Sequence, residues 1–182
     1  MILRGFYRKL YAFYMIRKKP VEYAKKIGVN FPGGGLHLYG SPAWGSEPWL
    51  ITLGYNVHIT AGVKFITHDG GTLLFRDRVP DLEITKPIVV GDNVYLGNNV
   101  ILLPGVTIGS NVVIGAGAVV SRDIPDNSVA VGVPACVIKT AEEYFEKLKK
   151  ESLHLGNLKG EIKDRALMKY YHYQGKSKGI YY

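Results

Sequence analysis

Proton transfer near neutral pH needs a side chain that can take and return a proton, and His68 is the residue best placed to do so. It stands in Thr67-His68-Asp69-Gly70, where a six-residue repeat that fills the middle of the chain is interrupted. A neutral imidazole, with an unperturbed pKa of about 6.5, suits a general base. Two carboxylates could orient it. Asp69 is adjacent, but neighbouring side chains in extended backbone point apart, so it is a poor partner. Glu47, in Gly45-Ser46-Glu47-Pro48-Trp49, is the other candidate. His37, His58, His154 and His172 read as structural or surface residues. The single cysteine, Cys136, excludes a disulfide framework and a cysteine-based zinc site, and fits a reducing compartment.

The repeat must supply the frame that holds these groups. Val90-Gly91, Leu96-Gly97, Ile108-Gly109 and Ile114-Gly115 share one register, and Leu102 and Val120 occupy the same aliphatic slot. A second column, Val94, Val100, Val106, Val112, Ala118 and Ile124, runs four residues behind. Leu53-Gly54, Val57, Ile59, Val63 and Phe65 keep the same period before the interruption. A six-residue period is too short for a helix face and wrong for one alternating strand. It suits a β-helix, in which short strands stack their aliphatic residues in inner columns. The glycines and the Asn-rich turns (Asp92-Asn93, Asn98-Asn99, Ser110-Asn111) are expected to supply positive φ. Polar residues such as Asn93, Asn99 and Asn111 should face outward.

A chain of 182 residues predicts one main domain with appendages. The boundaries read as an N-terminal helical segment over 1–30, the solenoid over 31–138, and a C-terminal helix and basic tail over 139–182. The spacing of Phe6, Leu10, Phe13, Tyr14 and Arg17 predicts a helix over 5–27, broken near Pro20 and capped by Gly28. Packing on the end of the solenoid is favoured for it over a membrane surface. Thr140-Ala141-Glu142-Glu143 is a capping-box sequence opening a helix to about Glu151, and a further helix is open over 159–173. The net charge of +8 is concentrated at the two ends. Such ends suit polyanionic partners, or simply form a hydrated face. No apolar run is long enough to span a bilayer, and Met1 to Ile16 lacks the apolar core of a signal peptide. A cytoplasmic location is the default, with peripheral contact to an anionic membrane at its inner face left open.

The run from Pro87 through Val90-Gly91-Asp92-Asn93, Leu96-Gly97-Asn98-Asn99 and Ile108-Gly109, on to Gly115-Ala116-Gly117-Ala118 and the closing Gly132-Val133-Pro134-Ala135, strongly resembles the hexapeptide-repeat acyltransferases. Within them it is similar to the branch containing maltose, nodulation-factor and capsular-polysaccharide O-acetyltransferases. The resemblance covers roughly residues 27–145. It implies a mainly β fold, a left-handed parallel β-helix with three hexapeptides per coil and one protruding loop at about 66–87. It also implies a homotrimer with active sites between subunits and acetyl-CoA as co-substrate. Residues 88–135 would form about two and two-thirds coils, 48–65 one more, and 31–47 an irregular first coil.

On this resemblance His68 takes the place of the family's catalytic histidine, drawing a proton from an acceptor hydroxyl that attacks the thioester directly. Glu47 lies 18 residues before Phe65, one coil away in the same column. It either pairs with His68 or turns outward at an irregular corner. Gly97 and Asn98 match the region that would supply an oxyanion donor, although a small residue is commoner where Asn98 stands. Ala116, Ser121, Arg122 and Lys139 match coenzyme A positions, Arg122 and Lys139 offering cations to a phosphate. Trp44 or Trp49, Asp69, and Arg76 with its neighbours Asp77 and Arg78 are candidates for binding the acceptor. No metal is expected, because the metal-binding relatives of this fold use a close histidine pair that His58 and His68 do not supply, and no nucleic-acid partner is expected.

The implied activity is O-acetylation of a sugar hydroxyl in a surface polysaccharide, glycolipid or precursor. Acetylation of a xenobiotic or an amino sugar is the nearest enzymatic rival. A non-catalytic solenoid that binds glycans or membrane is the rival from another class.

Overall fold

The structure, a computed structural model, describes residues 2–175, with side chains from Leu10 onward. The end of the basic tail read from sequence, with Lys176 and Lys178, lies outside the described residues. The chain divides into two compact units, Met1–Glu143 and Tyr144–Tyr182.

The first unit opens with α1 (Ile2–Lys18) and α2 (Pro20–Lys26). The break expected near Pro20 divides this helical segment in two. Pro20 cannot sit inside a continuous helix, but it is well suited to the first turn of α2. Ala24 and Val29 then enter the core. Asn30 joins the sheets directly: its N–H donates to the Ile51 carbonyl at 3.0 Å, and its carbonyl accepts from Leu53 N–H at 2.8 Å.

Among the described residues, twelve short strands follow. They are β1 (Leu36–Leu38), β2 (Ile51–Leu53), β3 (Val57–Ile59), β4 (Lys64–Phe65), β5 (Ile88–Val90), β6 (Val94–Leu96), β7 (Ile101–Leu102), β8 (Thr107–Ile108), β9 (Val112–Ile114), β10 (Val119–Val120), β11 (Ser128–Val131) and β12 (Cys136–Thr140). Three sheets result, ordered β2-β5-β8, β1-β3-β6-β9-β11-β12 and β4-β7-β10. From β2 to β10, consecutive strands enter different sheets and every third returns to the same one, always parallel except where β12 closes the longest sheet. The chain thus winds in coils around one core. The registers Leu53↔Val90↔Ile108, Ile59↔Leu96↔Ile114 and Phe65↔Leu102↔Val120 stack like on like. These side chains are at most 1% exposed, and burying each stabilises the fold by roughly 1.5–3 kcal/mol before entropy is counted.

The turns divide their work between two residue types. Asn56, Asn93, Asn99, Asn111 and Asn127 take positive φ of 55–60°. Four of them also form a ladder: Asn56 Nδ2 donates to Asn93 Oδ1 at 2.9 Å, Asn93 to Asn111 at 3.1 Å, and Asn111 to Asn127 at 3.0 Å. The glycines that follow the aliphatic residues do not share this conformation. Gly54, Gly91, Gly97, Gly109 and Gly115 are absent from the positive-φ residues, which corrects the expectation for them. Coil spacing is the reason for glycine there. A Cβ on Gly91 would stand 2.7 Å from Ser110 Oγ and 2.8 Å from the Gly109 carbonyl carbon.

The expected final strand over 129–133 is shorter, β11, and it pairs antiparallel with β12, which periodicity had not revealed. The helix α3 (Ala141–Glu151) begins with the expected capping box. Glu143 N–H donates to Thr140 Oγ1 at 3.1 Å, and Glu143 Oε2 accepts from Thr140 N–H at 2.7 Å. That backbone N–H, aided by the hydroxyl, holds the Glu143 carboxyl below the usual carboxylate range. The second unit contains most of α3 and α4 (Gly160–Tyr170), neither with a fully buried side chain. Among the described residues no helix is long and apolar enough to cross a membrane.

Candidate active site

Strand partners in the same sheet lie 18 residues apart between β5 and β8, as in Val89↔Thr107, but 37 apart between β2 and β5, as in Thr52↔Val89. The extra residues form the loop that carries His68. The loop leaves and returns as a small antiparallel ladder. His68 is bridged to Thr85, Asp69 N–H donates to the Ile84 carbonyl at 2.9 Å, and Lys86 N–H to the Thr67 carbonyl at 2.8 Å. Before it, Ile66 N–H still donates to Leu102 in the next coil at 2.9 Å. His68 is thus mounted on the rim of the solenoid rather than on a free loop tip.

Its imidazole meets the carboxylate one coil earlier. His68 Nδ1 lies 3.1 Å from Glu47 Oε2, and the buried Thr67 hydroxyl donates to the same oxygen at 2.5 Å. The Thr67 hydroxyl, opposed by partial burial and aided by His68, holds the Glu47 carboxyl below the ordinary glutamate range. A carboxylate kept ionised can only accept, so the Nδ1 facing it is the donor, and Nε2 is left for another partner. The side chain of His68 is 44% exposed and that of Glu47 24%, so the imidazole is open to a ligand while its partner is sheltered.

His68 and Glu47 line a cavity of 310 Å³ with Ser46, Asp69, Arg76 and Glu83 among its walls. Asp69 is committed mainly to local structure. Its Oδ1 accepts from Gly71 N–H at 2.9 Å and caps the short 3-10 helix Gly70–Phe75. Arg76 is held by its Nε–H, which donates to the Leu82 carbonyl at 3.2 Å. Trp44 is placed elsewhere: it is 7% exposed and stacks on Phe65 with centroids 5.1 Å apart, so it belongs to the core. Trp49 is exposed and does not line the cavity. Gly97, Asn98, Ala116, Ser121, Arg122 and Lys139 do not line it either. Asn98 Oδ1 accepts from Ala61 N–H at 3.2 Å, and its carbonyl accepts from Gly117 N–H at 2.8 Å, so it ties neighbouring turns together. Ala116, Ser121 and Arg122 are exposed, and Lys139 is half-buried on β12.

Sequence reasoning missed Thr67, Glu83 and Thr85. Thr67 was detectable in principle, being two residues after inward Phe65 and hence inward itself, a buried position at which a hydroxyl needs a partner. Glu83 and Thr85 carry no periodic signal. Outside the cavity, His37 and His58 stack at 4.5 Å, and burial, with the His37 charge, lowers the pKa of His58. Among the described residues no group of three or more His, Cys, Asp or Glu side chains is arranged to hold a metal ion.

Comparison with known proteins agrees with the coil geometry. The model of the bacterial transferase hexapeptide (six repeats) family matches residues 87–122, the uninterrupted coils. Protein CapG of Staphylococcus aureus is 45% identical over 142 residues, covering 78% of this chain and 83% of CapG. The galactoside O-acetyltransferase of Escherichia coli K12 is 36% identical over 143 residues, covering 62% of this chain and 70% of that protein. Among solved structures, a maltose O-acetyltransferase from Clostridium difficile 630 superposes with a TM-score of 0.53 at 30% identity, covering 68% of this chain and 75% of that one. With its repeats, its three parallel sheets and these relatives, the chain belongs to the hexapeptide-repeat acyltransferases.

Proposed function

We propose that the protein transfers an acetyl group from acetyl-CoA to a sugar hydroxyl, with His68 as general base. The observation that carries this reading is the run of contacts from buried Thr67 through Glu47 to His68, the last two in the cavity wall. The acceptor hydroxyl gives its proton to His68 Nε2 as its oxygen bonds to the thioester carbonyl carbon. The carbonyl π electrons move to oxygen, and a tetrahedral intermediate forms. As it collapses, the C–S bond breaks, and the departing coenzyme A thiolate takes the proton back from the imidazolium. Glu47 holds the ring in one tautomer and offsets the positive charge that develops on it. No enzyme nucleophile is required.

The donor side rests on Gly97, Asn98, Ala116, Ser121, Arg122 and Lys139. Arg122 and Lys139 have the chemistry to meet coenzyme A phosphates, and a backbone or amide donor near Gly97 and Asn98 suits the oxyanion. None of these residues lines the cavity of its own chain, which favours a site completed by a second copy in a homotrimer. The winding is taken as left-handed, as in the family. A sugar acceptor is supported by relatives named for galactoside and maltose O-acetylation, and by a cavity walled by Asp69, Arg76 and Glu83.

Coenzyme A release is the direct test. Purified protein with acetyl-CoA should release free thiol with members of a panel of sugars and nucleotide sugars, and mass spectrometry should find an ester on the acceptor. Release only with amine acceptors would move the reading to N-acetylation. Silence across both sets, with no difference between wild type and His68→Ala, would end the catalytic reading. A monomer mass on sedimentation would defeat the shared site alone.

A further inference from the structure

The helix α1 has two apolar faces, and its own unit uses only one of them. Met15 is 5% exposed and Ile16 is half-buried. Leu10, Tyr11, Phe13 and Tyr14, by contrast, are 53%, 49%, 57% and 52% exposed. Together with Arg17 and Lys18 they form one shallow, predominantly apolar surface. At helical spacing Leu10, Phe13, Tyr14 and Arg17 lie on one stripe, while Met15 points away from it. A soluble surface helix normally turns its broad apolar face inward, so this arrangement calls for something to cover the stripe.

Charge identifies what covers it. Residues 1–27 contain eight lysines and arginines and one carboxylate, Glu22, which Lys19 meets at 3.2 Å. Cations border the aromatic rings directly. Arg17 stands 4.8 Å above the Phe13 ring, and Lys26 stands 4.4 Å above Tyr11 while donating to its hydroxyl at 3.2 Å. A two-fold contact between copies would bring these cations together with almost no carboxylate to answer them. A surface that is apolar beneath and anionic above answers both features.

We propose that α1 is a peripheral membrane anchor, an in-plane helix that lays Leu10, Phe13 and Tyr14 into the interfacial layer of an anionic bilayer while Arg17, Lys18 and Lys26 meet lipid phosphates. Lysine and arginine stems can lie along the apolar boundary while their heads stay with the phosphates. The inference does not depend on the transfer reaction and would hold whatever acceptor the cavity takes.

Vesicle flotation of the full chain tests it. Protein should float with phosphatidylcholine vesicles containing phosphatidylglycerol and remain largely behind with phosphatidylcholine alone, a difference of about tenfold that shrinks as salt is raised. Leu10→Glu/Phe13→Glu should abolish flotation on both compositions. Arg17→Gln/Lys18→Gln, which keeps the apolar stripe, should lower it severalfold on anionic vesicles only. Circular dichroism should confirm that both variants are folded, since all four side chains are exposed. Flotation that is absent from wild type, or unaffected by either double substitution, would overturn the proposal. A fall in sedimentation mass in Leu10→Glu/Phe13→Glu without wild-type flotation would assign the stripe to a second copy. Binding to an oligonucleotide that is insensitive to Leu10 and Phe13, again without flotation, would assign the cations to nucleic acid.

Discussion

Residues 88–120 and residues 44–87 use the same three sheets in opposite ways. In the first stretch every coil meets the same steric demands with the same residue types. An aliphatic residue points inward, glycines stand where the next coil comes close, and asparagine or glycine takes the positive-φ turn. The step between partners is 18 residues, and the inward residues are apolar. In the second the step grows to 37, and two polar residues, Glu47 and Thr67, come together beside the core. A single coil would pay heavily for that departure. Here the neighbouring coil continues the backbone ladder past it, from Ile66 to Leu102, so the polar group is held by the regular part. Redundancy in one region supports a polar cluster in the other.

That division implies that activity and stability should separate by region. His68→Ala should show the largest effect, lowering kcat/KM by roughly 10²–10⁴-fold, with little change in Tm because the ring is half exposed. A parallel loss of Tm would mean that the loop also supports the core. Leu96→Ala should do the reverse, removing about 2–5 kcal/mol of unfolding free energy in urea while leaving kcat of the folded fraction near wild type.

Glu47→Gln probes the border between the two regions. Losing a charged hydrogen-bond partner of His68 should cost about 1.5–3 kcal/mol of transition-state stabilisation, roughly ten- to a hundredfold in rate. Its stability signature depends on pH. The pKa of Glu47 is lowered in the folded protein, so its ionised form favours folding above the ordinary glutamate value. That advantage disappears as pH falls through the lowered folded value. Wild type should therefore exceed the glutamine variant in stability near neutrality and converge with it in acid. Urea titrations across that range would show it, and a constant gap would contradict the assignment.

The smallest effect is expected from Asn93→Gly. Glycine accepts the positive φ but loses both side-chain rungs, to Asn56 and Asn111, for about 1 kcal/mol in all. Asn93→Ala should cost more, since it loses the rungs and also strains the turn. Urea unfolding of the two variants side by side would check the order.

The aliphatic columns and the asparagine turns were legible in the sequence because each coil repeats the same geometry. His68 stood out because it lies where that repeat is interrupted. Three other features were hidden for physical reasons. The glycines were expected to solve a dihedral problem, but Gly91 solves a distance problem with the next coil, and composition alone does not distinguish the two. No residue of β12 is fully buried, so the strand left no period to read. Pairing of Glu47 with His68 depended on how an irregular corner turned, and two residues far apart in sequence cannot settle that.

The strand β12 also changes how the longest sheet ends. A parallel coil ends in a sheet edge identical in kind to the one before it, so each end could template another copy. At the end of the longest sheet the chain reverses, and β12 pairs antiparallel with β11, with a register irregularity between Val129 and Ala130. Its last pairing has the uneven hydrogen-bond spacing of an antiparallel ladder, unlike the coils below. One five-residue strand without a fully buried side chain thereby interrupts the parallel repeat at the end of the longest sheet, so a further coil could not simply continue its register.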